Sequence, residues 1–89
     1  MSWRVDVSRN AQKFLDKQNF SLDELLELVG KAVRHFQGER SNLDLKRLKG
    51  KWAGFYTIRK GRIRVIAEFD FEGSIVFIEE IDWRGNVYK

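Results

Sequence analysis

Eight basic side chains fall within the nineteen residues from Lys46 to Arg64, with no acid among them: Lys46, Arg47, Lys49, Lys51, Arg59, Lys60, Arg62 and Arg64. Ammonium and guanidinium groups at that density hold phosphates, and rings such as Trp52, Phe55 and Tyr56 in the same block are the groups that meet bases. The next stretch, Val65 to Asp82, holds six acids and no base, whereas residues 1–39 balance six basic against six acidic side chains. The net charge of +4 is therefore concentrated in one block, where self-repulsion favours a polyanionic partner. A solvated Lys/Arg-rich face, or an acidic protein as the target, would give the same composition.

Other chemistries lack their groups. The chain has no cysteine and one histidine, His35, which removes disulfides, thiol catalysis, Cys-type zinc sites and paired-histidine chemistry. No metal or other cofactor is expected. His35 falls beside an apolar helix face and is read as a surface histidine. No apolar run reaches the roughly 18 residues of a membrane span, and no leader is expected, so the reading is a cytoplasmic protein without membrane contact. Its 89 residues, 43% of them hydrophobic, suit one small domain over residues 1–89.

The elements that must position the basic groups follow from periodicity. Trp3 to Val7 alternates apolar and charged residues, as a half-buried strand does. Ser8 caps a short helix carrying Ala11, Phe14 and Leu15. Ser21 and Glu24 form a capping box, with Phe20 and Leu25 at staple positions. Leu22, Leu25, Leu26, Val29, Ala32, Val33 and Phe36 then trace an apolar helix face that Gly38 ends. From Phe55 the period becomes two: strands over 55–59, 62–71 and 74–81, with turns at Lys60-Gly61 and Glu72-Gly73. The expected fold is α+β, an N-terminal strand and two helices packed on one face of a mainly antiparallel sheet of four to five strands.

Alternation then sorts the side chains. Ile63, Val65, Ala67, Phe69 and Phe71 share the helix-packed face with Tyr56 and Ile58. Arg62, Arg64, Ile66, Glu68 and Asp70 share the other with Thr57 and Arg59. Same-face neighbours across a hairpin lie roughly 5–8 Å apart, so Arg59, Arg62 and Arg64 are expected to converge on the open face. Like charges so placed call for an anion.

The chain resembles the RelE/ParE superfamily of bacterial and archaeal toxins. The residues that carry the resemblance are Leu48-Lys49-Gly50, the run from Gly54 to Ile66 (GFYTIRKGRIRVI), and the terminal Arg84-Gly85-Asn86-Val87-Tyr88-Lys89. They follow the family pattern L-K-G, then G-x-Y-R-I-R-x-G-x-Y-R-V-I-Y, an acidic hairpin and R-G-x-x-Y-K. The resemblance implies the toxin of a type II toxin–antitoxin pair, RelE-like, which cuts messenger RNA in the ribosomal A site without a metal. In that chemistry the 2′-hydroxyl is the nucleophile, leaving a 2′,3′-cyclic phosphate and a 5′-hydroxyl.

Carried over by position, the resemblance makes Arg59, Arg64, Arg84 and Tyr88 the catalytic set. Arg59 and Arg64 would hold the scissile phosphate, Arg84 would add a second clamp, and Tyr88 would stack on a base or accept a proton. Lys46, Arg47, Lys49, Lys51, Lys60 and Arg62 would grip RNA backbone. Glu68, on the face of Arg64, is a second candidate base. Thr57 and Asp82 stand where relatives often carry basic residues. The implied partners are the ribosome with its messenger and an acidic, partly disordered antitoxin that folds on binding into a hetero-oligomer. Two alternatives share these features, a ParE-like DNA gyrase inhibitor and a catalytically weak RNA-binding remnant.

Overall fold

The computed structural model describes residues 3–40 and 42–83. Strand β1 (Arg4–Val7) leads through Ser8 into helix α1 (Arg9–Lys17). The Ser8 hydroxyl accepts from the Ala11 amide at 3.1 Å and donates to the Glu79 carbonyl at 2.6 Å, so one side chain caps the helix and pins it to the sheet. Helix α2 (Leu22–Phe36) starts at the expected capping box, with Ser21 and Glu24 exchanging backbone-to-side-chain bonds of 3.0 and 3.1 Å. Gly38 ends it at φ +94°, where a side chain would be strained.

The apolar face of α2 is rotated from the expected one. Leu25, Leu28, Val29, Ala32 and Val33 are buried, while Leu22 and Leu26 are exposed. Leu28 completes the helical series 25, 28, 29, 32, 33, 36 and takes the place that Leu22 and Leu26 were expected to hold.

Strands β2 (Asp44–Arg47), β3 (Phe55–Lys60), β4 (Ile63–Asp70) and β5 (Ile75–Trp83) complete a five-stranded sheet in the order β1-β5-β4-β3-β2. β1 runs parallel to β5 and every other pair is antiparallel. The architecture is the expected α+β arrangement with five strands. The strand that periodicity did not assign is β2, in which Leu45 is the one apolar residue. It joins the sheet edge through the backbone ladder to β3.

The β3–β4 turn is Gly61-Arg62, one residue later than expected. Lys60 and Ile63 close the ladder, and Gly61 takes φ +59°, as the first position of a tight hairpin turn demands. Phe71, assigned by alternation to the core, lies in the turn after β4 and is 51% exposed, with ring contacts to Trp3, Phe36 and Phe69.

Pairing divides the sheet into rows. On the helix side Leu45, Ile58, Val65 and Ile81 stand abreast across four strands. Beside them Tyr56, Ala67, Ile78 and Val7 form a second apolar row. Both rows pack with Ala11 of α1 and the buried face of α2 into one core. A bulge in β5 keeps this order: Ile66 opposes Glu80 while Ala67 opposes Ile78, leaving Glu79 as the extra residue. Strict alternation would put Glu80 on the face of Ile78. The bulge lets Ile78 and Ile81 both enter the core and turns Glu80 to the other side.

Candidate RNA-binding face

The face away from the helices carries a charged row, Asp44–Arg59–Arg64–Asp82, one residue from each of β2, β3, β4 and β5. Arg59 and Arg64 are direct cross-strand partners, so alternation on β3 and β4 sets these two arginines side by side on one face, as expected. The next row is Lys46–Thr57–Ile66–Glu80. Thr57 and Ile66 are buried, and Arg64 is 9% exposed. A guanidinium so enclosed needs charged or polar neighbours to offset its lost hydration.

Arg59 already holds an anion. Its Nε donates to Asp44 Oδ2 at 2.8 Å, with both side chains part-buried. The repulsion expected between the arginines is thus relieved by a carboxylate lying just before the basic block. Asp82 stands opposite Arg64 in register and accepts at Oδ1 from the Trp83 amide at 2.8 Å. The row reads minus, plus, plus, minus, with its positive centre on β3 and β4. Glu80, in the adjoining row, has its carboxyl pushed above the ordinary glutamate range, first by burial and then by Asp82 and Glu79.

A cavity of about 600 Å³ opens beside Arg59, between the β3–β4 turn, α2 and the segment leading into β2. Arg59 therefore borders both the charged row and a hollow.

Chains of this architecture have been solved. The chain is similar to a chain of the archaeal RelE–RelB complex of Pyrococcus horikoshii, with 22% identity over 98% of this chain and 100% of that one and a TM-score of 0.64. It is similar to the RelBE2 toxin–antitoxin complex of Mycobacterium tuberculosis, with 25% identity, coverage of 94% and 100%, and a TM-score of 0.62. YafQ from Escherichia coli matches at 11% identity, covering 99% and 100%, with a TM-score of 0.71. The chain has a RelE-like toxin fold. No protein-family profile matches it, and no curated protein sequence does.

Within this RelE-like fold the other basic residues divide between surfaces. Lys46 stands in the Thr57 row, on the face of Arg59 and Arg64. Arg47 opposes Tyr56, so alternation turns it to the helix side of the sheet edge. Lys60 opposes Ile63 and also lies on that side, with Nζ 3.9 Å from Glu27 Oε1 of α2. Arg62 is exposed in the turn, outside the strand alternation that was expected to align it with Arg64. Lys49 and Lys51 are exposed in the connection from β2 to β3. Arg84 and Tyr88 fall outside the described residues.

The rings of the basic block are also divided. Tyr56 is half-buried against the core, 5.0 Å from Phe36 and 5.9 Å from Phe69 between ring centres, while Trp52 and Phe55 meet edge to face at 5.7 Å. Trp83 packs on Phe14 at 5.4 Å and donates to Gln18 Oε1 at 3.2 Å, fastening α1 to β5. Among the described residues no group of three or more His, Cys, Asp or Glu side chains is arranged to hold a metal ion. No described helix is long and apolar enough to cross a membrane. Sequence reasoning passed over Asp44, which precedes the basic block by two residues, and Glu80. The irregular apolar spacing 76, 78, 81 was the available signal for the bulge that turns Glu80 outward.

Proposed function

We propose that this chain, acting as one domain over residues 1–89, is the toxin of a type II toxin–antitoxin pair and cleaves messenger RNA on the ribosome in the cytoplasm. The observation that carries the reading is the Arg59–Arg64 pair, two arginines opposed in register across β3 and β4 on the helix-free face of a RelE-like fold. A phosphodiester lying across that pair would meet forked donors suited to its two non-bridging oxygens. As the 2′-oxygen attacks phosphorus and the bond to the 5′-oxygen breaks, negative charge grows on those oxygens, and fixed guanidinium groups stabilise it. The 2′-hydroxyl gives its proton to a base and the leaving 5′-oxygen takes one up, so the products are a 2′,3′-cyclic phosphate and a 5′-hydroxyl. Neither arginine is that base, since a guanidinium stays protonated. Tyr88 is the assigned candidate, with Arg84 as the second clamp and Glu68 as the alternative base.

Asp44 must yield as the phosphate arrives. Part-exposed ion pairs contribute about 1 kcal/mol or less, and a charge-assisted bond to phosphate offsets that loss. Lys46, Lys49 and Lys51 bind backbone near this face, with Arg62 at the turn, while Arg47 and Lys60 reach RNA passing the sheet edge. The antitoxin is a short acidic chain that folds on binding and neutralises the basic block.

Expression without the neighbouring antitoxin gene should arrest growth and produce new RNA 5′ ends inside translated codons. Arg64→Ala should lower cleavage by about 10²–10³-fold, the usual cost of one charge-stabilising donor, with the fold retained by circular dichroism. Undiminished cleavage in that folded variant overturns the assignment. DNA breaks without messenger cleavage would move the target to gyrase.

A further inference from the structure

The cavity beside Arg59 sets a cation-rich rim against a wall that includes leucine side chains. Its rim carries four cations, Lys31 and Arg34 from α2 with Arg59 and Lys60 from the hairpin, against two carboxylates, Glu39 and Asp44. The carboxylates are occupied: Glu39 Oε2 lies 3.7 Å from Arg34 Nε, and Asp44 holds Arg59. Lys60 leans away toward Glu27 at 3.9 Å. Lys31 forms no ion pair among the described residues, so the rim keeps an excess of positive charge on the α2 side. Beneath it lie apolar Leu28, which is buried, and half-buried Leu43, with the Asn42 side chain at the same wall. The volume, about 600 Å³, falls in the range of about 300–1,000 Å³ of small-ligand sites.

We propose that this cavity is a nucleotide subsite on the RNA path, taking the nucleotide next to the one held by Arg59 and Arg64. Its phosphate lies against Lys31 and Arg34, and its base rests on Leu43 and meets the amide of Asn42. The assignment rests on the RNA-cleavage reading, because Arg59 is the group shared by the charged row and the cavity. Asp44 sits at that junction, and its carboxylate competes with RNA phosphate for Arg59. Substitutions on the two sides of the cavity must therefore act in opposite directions: loss of Lys31 and Arg34 weakens RNA binding, and loss of the Asp44 charge strengthens it.

The test uses a fluorescein-labelled 2′-O-methyl tetra-adenylate, which lacks the nucleophilic hydroxyl and cannot be cut. Bound to the full chain, it should shift the backbone amide signals of Leu28, Lys31, Asn42, Leu43 and Gly61. By fluorescence anisotropy, Lys31→Gln with Arg34→Gln should raise Kd about tenfold. The slope of log Kd against log salt should fall by about 0.7 for each cation lost, the value for single strands. Asp44→Asn should lower Kd about threefold, and Lys13→Gln on α1 should leave it unchanged. Both α2 side chains are at least partly exposed, and retained amide dispersion confirms that the double variant is folded. A double variant with Kd within twofold of wild type, or an Asp44→Asn chain that binds less tightly, overturns the subsite. If wild type binds the probe at these residues yet cuts no messenger, the cleavage reading fails and the subsite stands. If messenger is cut and the double variant binds normally, the subsite fails and the cleavage reading stands.

Discussion

The two faces of the sheet are both buried at their centres, yet they are buried by different means. On the helix side Ile58 and Val65 are fully enclosed by other apolar groups. One residue along each strand, Thr57, Arg64 and Ile66 are almost as enclosed, but their rows end in Asp44, Asp82, Lys46 and Glu80. Burial alone does not separate a core from a site; the charge of what is buried does. Apolar burial returns stability in proportion to area, whereas an enclosed guanidinium contributes little net stability and keeps a strong field for a ligand.

The largest expected effect tests that division directly. Ile58→Ala removes a fully buried side chain from the row Leu45–Ile58–Val65–Ile81 and should cost about 2–5 kcal/mol in urea denaturation, a large share of the stability of so small a domain. Below its melting point the variant should still cut RNA. Arg64→Ala, one strand over and on the other face, should do the reverse, retaining most stability and losing cleavage. Equal loss of stability in both would erase the distinction between the faces.

Much of this arrangement was legible in the residues, and the illegible parts share a cause. Ser8, the Ser21–Glu24 box, the β3–β4 hairpin and the inward set Ile63, Val65, Ala67 and Phe69 depend on signals within a few residues of one another. So does the opposition of Arg59 and Arg64, which needs only a tight turn and a period of two. Strand β2 was hidden because Asp-Leu-Lys-Arg shows no apolar alternation; its order comes from the ladder to β3. The Asp44–Arg59 pair spans fifteen residues and exists only because β2 pairs there. The bulge at Glu79 left only the uneven apolar spacing 76, 78, 81 as a trace, because it is a compromise between Ile78 and Ile81 that the finished core enforces.

A smaller effect sharpens the comparison from the helix side. Helix α2 carries the core face and, on its exposed flank, Lys31 and Arg34, so it serves both regions at once. Ser21→Ala removes one half of the capping box and should cost about 1 kcal/mol, a fall in Tm of about 4–8 °C for a domain of this size. Cleavage measured well below Tm should not change, since the cap lies at the opposite end of α2 from Arg34. A drop in cleavage without a drop in Tm would mean that the start of α2 belongs to the RNA path.

The smallest effect concerns the carboxylate that the bulge turned outward. Glu80 has a higher pKa in the folded chain than in the unfolded one, chiefly because burial disfavours its charge, with Asp82 and Glu79 adding repulsion. The folded state therefore binds more protons between the two values, so this group's contribution to stability is full below the unfolded value and is lost as pH rises through the folded one. Glu80→Gln removes the charge at all pH values and keeps the shape. It should raise Tm modestly at pH 7, by less than Ser21→Ala lowers it, and the gain should shrink to nothing as the pH falls below the ordinary glutamate range. Thermal melts of both chains from pH 3 to pH 8 measure the difference, from which the other titrating groups cancel. A gain of constant size across that range would assign it to packing, and the open face would then resemble the helix face more closely than its charges imply.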